Sequence, residues 1–77
     1  MSLGEDRVRI KFNPSSDSLV DQIKTKAAEF IDLCAMNMDA NRDKQGYGEV
    51  ARLWSLAMTH AEDAAMWAVK AATAGKP

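Results

Sequence analysis

The segment FNPSSDSLVDQIK, from Phe12 to Lys24, gathers the residue types best suited to binding chemistry in this chain. Phe12 offers a ring on which a nucleobase can stack, a contact that contributes about 1–3 kcal/mol. Asn13, Pro14 and Ser15 make a turn leading into a helix start, where unpaired N–H groups and the positive end of the helix dipole accept phosphate. Lys24, about two turns further on, supplies an ammonium whose charge-assisted bond to a phosphate contributes about 1.5–3 kcal/mol. Structural roles stay open beside these. Lys24 lies at the edge of an apolar stripe, where its stem can cover hydrophobic surface with the ammonium in water. Phe12 can act as a staple against the first helical turn.

Catalytic chemistry finds little support. Cys34, the sole cysteine, sits among Phe30, Ile31 and Leu33 and reads as a small buried hydrophobe rather than a nucleophile. His60, the sole histidine, lies between Leu56 and Trp67, a structural or surface position first and a polar ligand contact second. One cysteine and one histidine make neither a disulfide nor a Cys/His metal cluster. Glu62 and Asp63 point to adjacent faces of one helix and form no acid/base pair. There is no glycine-rich phosphate loop and no nucleophile elbow. The expectation is a binder, not an enzyme, with no cofactor and no metal.

The elements that must position these residues follow from periodicity. RVRIKF, residues 7–12, alternates Arg7, Arg9 and Lys11 with Val8, Ile10 and Phe12, a period of two that predicts an extended arm. Pro14 biases Asn13 away from helix, and Ser15, Ser16 and Asp17 are all suitable N-caps. Val20, Ile23, Ala27, Phe30 and Cys34 then recur at three and four residues, predicting an amphipathic helix from Ser16 or Asp17 to about Asp39. DANRDKQGYG reads as a turn. A second helix is predicted from near Glu49 to about Thr73, with a heptad seam at Val50, Trp54, Ala57, Ala61, Ala64, Ala68 and Ala71. The fold expected is all-α: a two-helix antiparallel hairpin spanning residues 16–77, behind an extended N-terminal arm and helix-start turn in residues 1–15.

Size and charge then bear on partners. A 77-residue chain buries only about 60% of its unfolded surface, so a lone core is marginal and a staple is needed. Self-association is the staple that remains. Leu53, Leu56, Met66, Trp67 and Val69 add apolar groups outside the alanine seam, and a helix so apolar calls for cover by other chains in a homo-oligomeric helical bundle. Ten Lys/Arg against eleven Asp/Glu give a net charge of −1, which argues against coating long nucleic acids, and no short helix-turn-helix spacing suggests a DNA regulator. No apolar run is long enough for a membrane span. Met1–Gly4 leads straight into the charged EDRVRIK with no signal-peptide pattern, so a cytoplasmic protein is expected. Should two copies of the Phe12–Lys24 segment meet across a twofold axis, their groove holds two rings and two ammoniums. A cyclic dinucleotide, with two bases and two phosphates, is a ligand of that kind.

FNPS followed by VDQIK, and EDAAMWAVKAAT in the last helix, resemble the small phage and prophage proteins that sequester cyclic nucleotides. These are the anti-CBASS sponges, whose helical-hairpin domain is shared with one class of Thoeris anti-defence proteins. The likeness runs from about Val8 to Thr73. It implies a non-enzymatic homohexamer that captures cyclic dinucleotides such as cyclic GMP-AMP, and cyclic trinucleotides, in the host bacterial cytoplasm and so keeps immune effectors off. By resemblance Phe12 stands where the family often has tyrosine, keeping the ring without the hydroxyl, and Lys24 matches the lysine that closes the first helical turns. A separate trinucleotide site is implied, with Arg52, His60 and Lys70 as its candidates. Met66 and Trp67 read as oligomer core. Two alternatives stand beside this one: a structural helical-hairpin scaffold or interaction module, and a sponge for the cyclic ADP-ribose-type signals of Thoeris.

Overall fold

The computed structural model describes residues 2–8 and 18–74. Three helices follow in order: α1, Leu3–Val8; α2, Ser18–Ala40; and α3, Tyr47–Thr73. The two long helices pack as a hairpin, and the described residues contain no strand. At 23 and 27 residues they run about 35 and 40 Å. Residues 41–46 turn between them through backbone bonds such as Lys44 N–H to the Asn41 carbonyl at 3.0 Å. Gly46 ends the turn at φ 81°, a left-handed conformation that only glycine takes without steric cost.

The core is the seam between α2 and α3. Ile31 and Cys34 are fully buried, Ala28 and Met58 nearly so, with Ala65 and Val8 at the margins. Trp54, Ala57 and Ala61 pack beside them. On the expected α3 seam Trp54, Ala57 and Ala61 do pack against the core, but the buried positions are Met58 and Ala65, each one residue beyond a seam position, while Ala64 and Ala71 are exposed. A straight helix of 3.6 residues per turn drifts about 20° per heptad from a 3.5-residue repeat, so a strict heptad line leaves the contact face over successive heptads.

The N-terminal arm also differs from expectation where it is described. Arg7 and Val8 belong to α1 and are helical, not extended. Val8 is buried against the hairpin core, and a tertiary contact of that kind overrides a short alternating pattern. Two features hold α1 down. The Gly4 N–H, unpaired in the first turn of its own helix, donates to Asp32 Oδ1 at 2.7 Å. Gly4 also lies so close to α2 that a Cβ built on it would overlap the Ala28 carbonyl, so only glycine permits this approach. The expected extended run from Arg9 to Phe12, and the caps Ser15, Ser16 and Asp17, lie outside the described residues.

Helices in a slab of 52 × 21 × 12 Å form a single layer. Its faces carry Leu19, Phe30, Leu33, Met36, Leu53, Leu56, Met66 and Trp67, each more than 40% exposed. The chain thus leaves large apolar side chains uncovered on both long helices.

Candidate functional site

Where α1 crosses the hairpin, its last turn closes one end of a cleft of about 540 Å³. Arg7 and Val8 of α1 form that end. Lys24 of α2 forms one wall, and Thr59, Glu62, Asp63, Met66 and Val69 of α3 form the other. The volume suits a drug-sized ligand. Lys24 is half-buried here, three residues before Ala27 and four after the buried Val20. A half-buried lysine lining a cleft can lay its stem along apolar surface and keep its ammonium accessible, so the two roles are compatible in one side chain.

The electrostatics are balanced. Arg7 Nε lies 3.1 Å from Glu62 Oε2, both side chains partly exposed. With Lys24 and Asp63 added, the cleft holds two cations and two carboxylates. A single chain therefore offers an anion a polar and sterically suitable place, without a net positive field.

On the opposite side of the α2/α3 seam runs a second groove, of about 600 Å³. Leu19, Ile23, Ala27 and Phe30 of α2 face Ala61, Ala64 and Ala68 of α3 across it. Alanines along that wall keep the groove open, and only Lys26 and Gln22 bring polar atoms to it.

This architecture has a family. Residues 5–73, which is 69 of the 77, match the model of the Acb2/Tad1 hairpin domain. The chain belongs to the Acb2/Tad1 hairpin family. No curated protein and no solved structure matches it. Acb2/Tad1 proteins are ligand-sequestering sponges, so membership implies a sponge-type anti-defence role rather than catalysis. Among the described residues, no helix is long and apolar enough to cross a membrane.

Within this Acb2/Tad1 hairpin, the expected site residues are distributed unevenly. Phe12, Asn13, Pro14 and Ser15 lie outside the described residues; Lys24 lies in the cleft. Arg52, His60 and Lys70 are exposed on α3, with the first and last about 27 Å apart along the helix, so one chain does not bring them together. Arg52 is engaged by Glu49, Nη2 to Oε1 at 2.7 Å and Nε to Oε2 at 3.0 Å. This bidentate bond holds the Glu49 carboxyl below its ordinary value. Lys70 Nζ sits 5.3 Å from the centre of the Trp67 ring, a cation–π contact. Cys34 is buried, and desolvation pushes its thiol up, the state of an inert structural cysteine.

Sequence reasoning overlooked Arg7, Thr59, Glu62 and Asp63 as neighbours of Lys24. Arg7 was hidden by the alternation of RVRIKF. Thr59, Glu62 and Asp63 stand on the polar side of α3, and nothing in a linear sequence says that α1 folds back over them.

Proposed function

We propose that this protein is a non-enzymatic sponge that binds and sequesters cyclic di- and trinucleotide second messengers, blocking CBASS-type immunity in the host bacterial cytoplasm. The observation that carries this reading is the family match across residues 5–73, supported by the half-buried Lys24 at a cleft of ligand size. The dinucleotide is held between subunits of a homohexamer. Phe12 stacks on a base, Lys24 meets a phosphate, and backbone and side-chain groups of Asn13, Pro14 and Ser15 add contacts to the ligand. The balanced charge of one cleft makes the second copy of Lys24 important, because two ammoniums face two phosphates only when chains are paired. Arg52, His60 and Lys70 serve a trinucleotide only as groups from different chains.

A sponge acts by stoichiometry and must bind tightly. A Kd near 1 nM corresponds to about −12 kcal/mol. Two stacked bases and two charge-assisted phosphate contacts contribute about 5–12 kcal/mol before ordering costs. Preorganisation by the oligomer reduces those costs.

A second reading has the family's own description behind it, which names Tad1 beside Acb2: a sponge for cyclic ADP-ribose-type signals of Thoeris. One experiment separates the two. The chain is screened by thermal shift against cyclic di- and trinucleotides and cyclic ADP-ribose variants, and bound ligand is recovered after denaturation. A shift with cyclic oligonucleotides and intact recovered ligand is expected. A shift with cyclic ADP-ribose variants alone selects the second reading, and recovered breakdown products would show an enzyme.

A further inference from the structure

Arg7, in the last turn of α1, brings a guanidinium to the same cleft as Lys24. Its Nε meets Glu62 Oε2 at 3.1 Å. The other closely paired arginines, Arg42 with Asp39 and Arg52 with Glu49, join residues three apart on one stretch of chain and stand well out in solvent. Arg7 instead reaches from α1 to α3, and its side chain is 30% exposed where that of Arg52 is 58%. Folding has therefore already stripped Arg7 of much of its water. A cation desolvated in advance costs less to cover with a ligand.

Glu62 is suited to giving way. Its side chain is 44% exposed, so its carboxylate can turn back into water, and a partly exposed ion pair contributes little in itself. A guanidinium carries five N–H donors in a planar fork that matches two oxygens of a phosphate. A phosphodiester has one negative charge, as a carboxylate has, so exchanging Glu62 for phosphate keeps Arg7 neutralised and leaves no unpaired charge in the cleft.

Arg7 also keeps its place when Glu62 lets go. Helix α1 is docked independently on α2, through the Gly4 N–H bond to Asp32 Oδ1 at 2.7 Å, the approach of Gly4 to the Ala28 backbone, and the buried Val8. Glu62 belongs to α3 and takes part in none of these contacts. The backbone that carries the guanidinium is thus fixed by one helix and its resident anion supplied by another.

We infer that Arg7 is a second phosphate-binding cation of the cleft, held ready by Glu62 and released to the ligand by exchange of one anion for the other. Lys24 supplies a point charge and Arg7 a directional fork, so the two together fix the orientation of a phosphate as well as its presence. The inference rests on the cyclic-nucleotide reading and adds a residue to that same site.

The ion pair can be broken from either end, and the two ends separate the possible roles. A pair that only pins α1 makes Arg7→Gln and Glu62→Gln change ligand binding in the same direction. With Arg7 on the phosphate the signs are opposite: Arg7→Gln weakens binding of cyclic GMP-AMP about tenfold or more, whereas Glu62→Gln, which frees the guanidinium, tightens it. Calorimetry on the full chain reads both, with circular dichroism melts to verify that each variant is helical. A further readout needs only the wild type to bind: the Arg7 Nε–H resonance, assigned by its absence in the conservative Arg7→Lys chain, shifts when cyclic GMP-AMP is added. Changes of the same sign in the two variants, or an Arg7 resonance that stays in place while the ligand binds, overturn the role of Arg7 and leave the sponge reading standing. A wild-type chain that binds no cyclic nucleotide defeats both.

Discussion

Arg7 Nε and Glu62 Oε2 stand 3.1 Å apart, joining the last turn of α1 to the middle of α3 beside Lys24. The pair does two things at once. It pins α1 over the hairpin, and it places a carboxylate where the proposed ligand brings negative charge. Removing that carboxylate's charge takes away a repulsion of about 0.6 kcal/mol for a phosphate about 7 Å away in a water-like dielectric. Glu62→Gln is accordingly expected to tighten dinucleotide binding about threefold by calorimetry at low salt, with the gain shrinking as salt rises. Weaker binding in this variant would mean that the ion pair's grip on α1 matters more to the site than its charge.

Gly4 makes a different demand on the same helix. With the Ala28 carbonyl against its Cα, Gly4→Ala forces α1 away from α2 or strains both. Overpacking of this kind costs about 1–3 kcal/mol, here confined to the docking of α1. The expected signature is faster amide exchange and proteolysis near residues 3–8, while the α2/α3 hairpin keeps its protection. Asp32→Ala should act in the same direction by removing the acceptor of the Gly4 amide, and unchanged protection of α1 in both variants would contradict the docking.

The hairpin was legible because its signals are local and repeated. Val20, Ile23 and Ala27 recur over several turns, and Gly46 with its polar neighbours breaks the pattern where the chain reverses. Ala64 against Ala65 was not legible, since two adjacent alanines differ only in phase, and phase depends on whether the helix supercoils. Helix α1 escaped for another reason. Its stability comes from Gly4 on Ala28, Gly4 on Asp32 and Arg7 on Glu62, contacts that join distant parts of the sequence. Lys24's position at the edge of the apolar stripe was legible from its spacing, whereas its placement in a cleft with an acidic wall opposite depends on where α1 folds. For Phe12, Asn13, Pro14 and Ser15 the case stays with the residue types and the family resemblance.

Lys24→Ala tests the centre of the functional proposal. Loss of a charge-assisted phosphate contact worth about 1.5–3 kcal/mol weakens dinucleotide binding about 10- to 150-fold for each lysine engaged. The thermal shift with cyclic dinucleotides should vanish while light scattering reports an unchanged oligomer. Should the oligomer fall apart instead, the lysine is structural and its cleft is not the site. Phe12→Ala is expected to weaken dinucleotides more than trinucleotides, because the implied trinucleotide site lies elsewhere.

Cys34 yields the last prediction, through pH. Burial raises its thiol above the free-thiol value of 9.0, so between 9.0 and the higher folded value the unfolded chain binds fewer protons than the native one. Stability therefore falls as pH rises through that window, and the contribution is whole below it. Comparison with Cys34→Ala isolates the thiol's share of the pH dependence. The variant begins slightly less stable, since it leaves a small cavity beside Ile31, yet its melting temperature should decline less steeply above pH 9 than that of the wild type. The same burial makes labelling by a thiol reagent depend on opening of the α2/α3 seam, so the labelling rate should climb with urea in step with unfolding. A thiol that reacts in native buffer as fast as a free cysteine would place Cys34 at the surface and refute the packing of the hairpin described above.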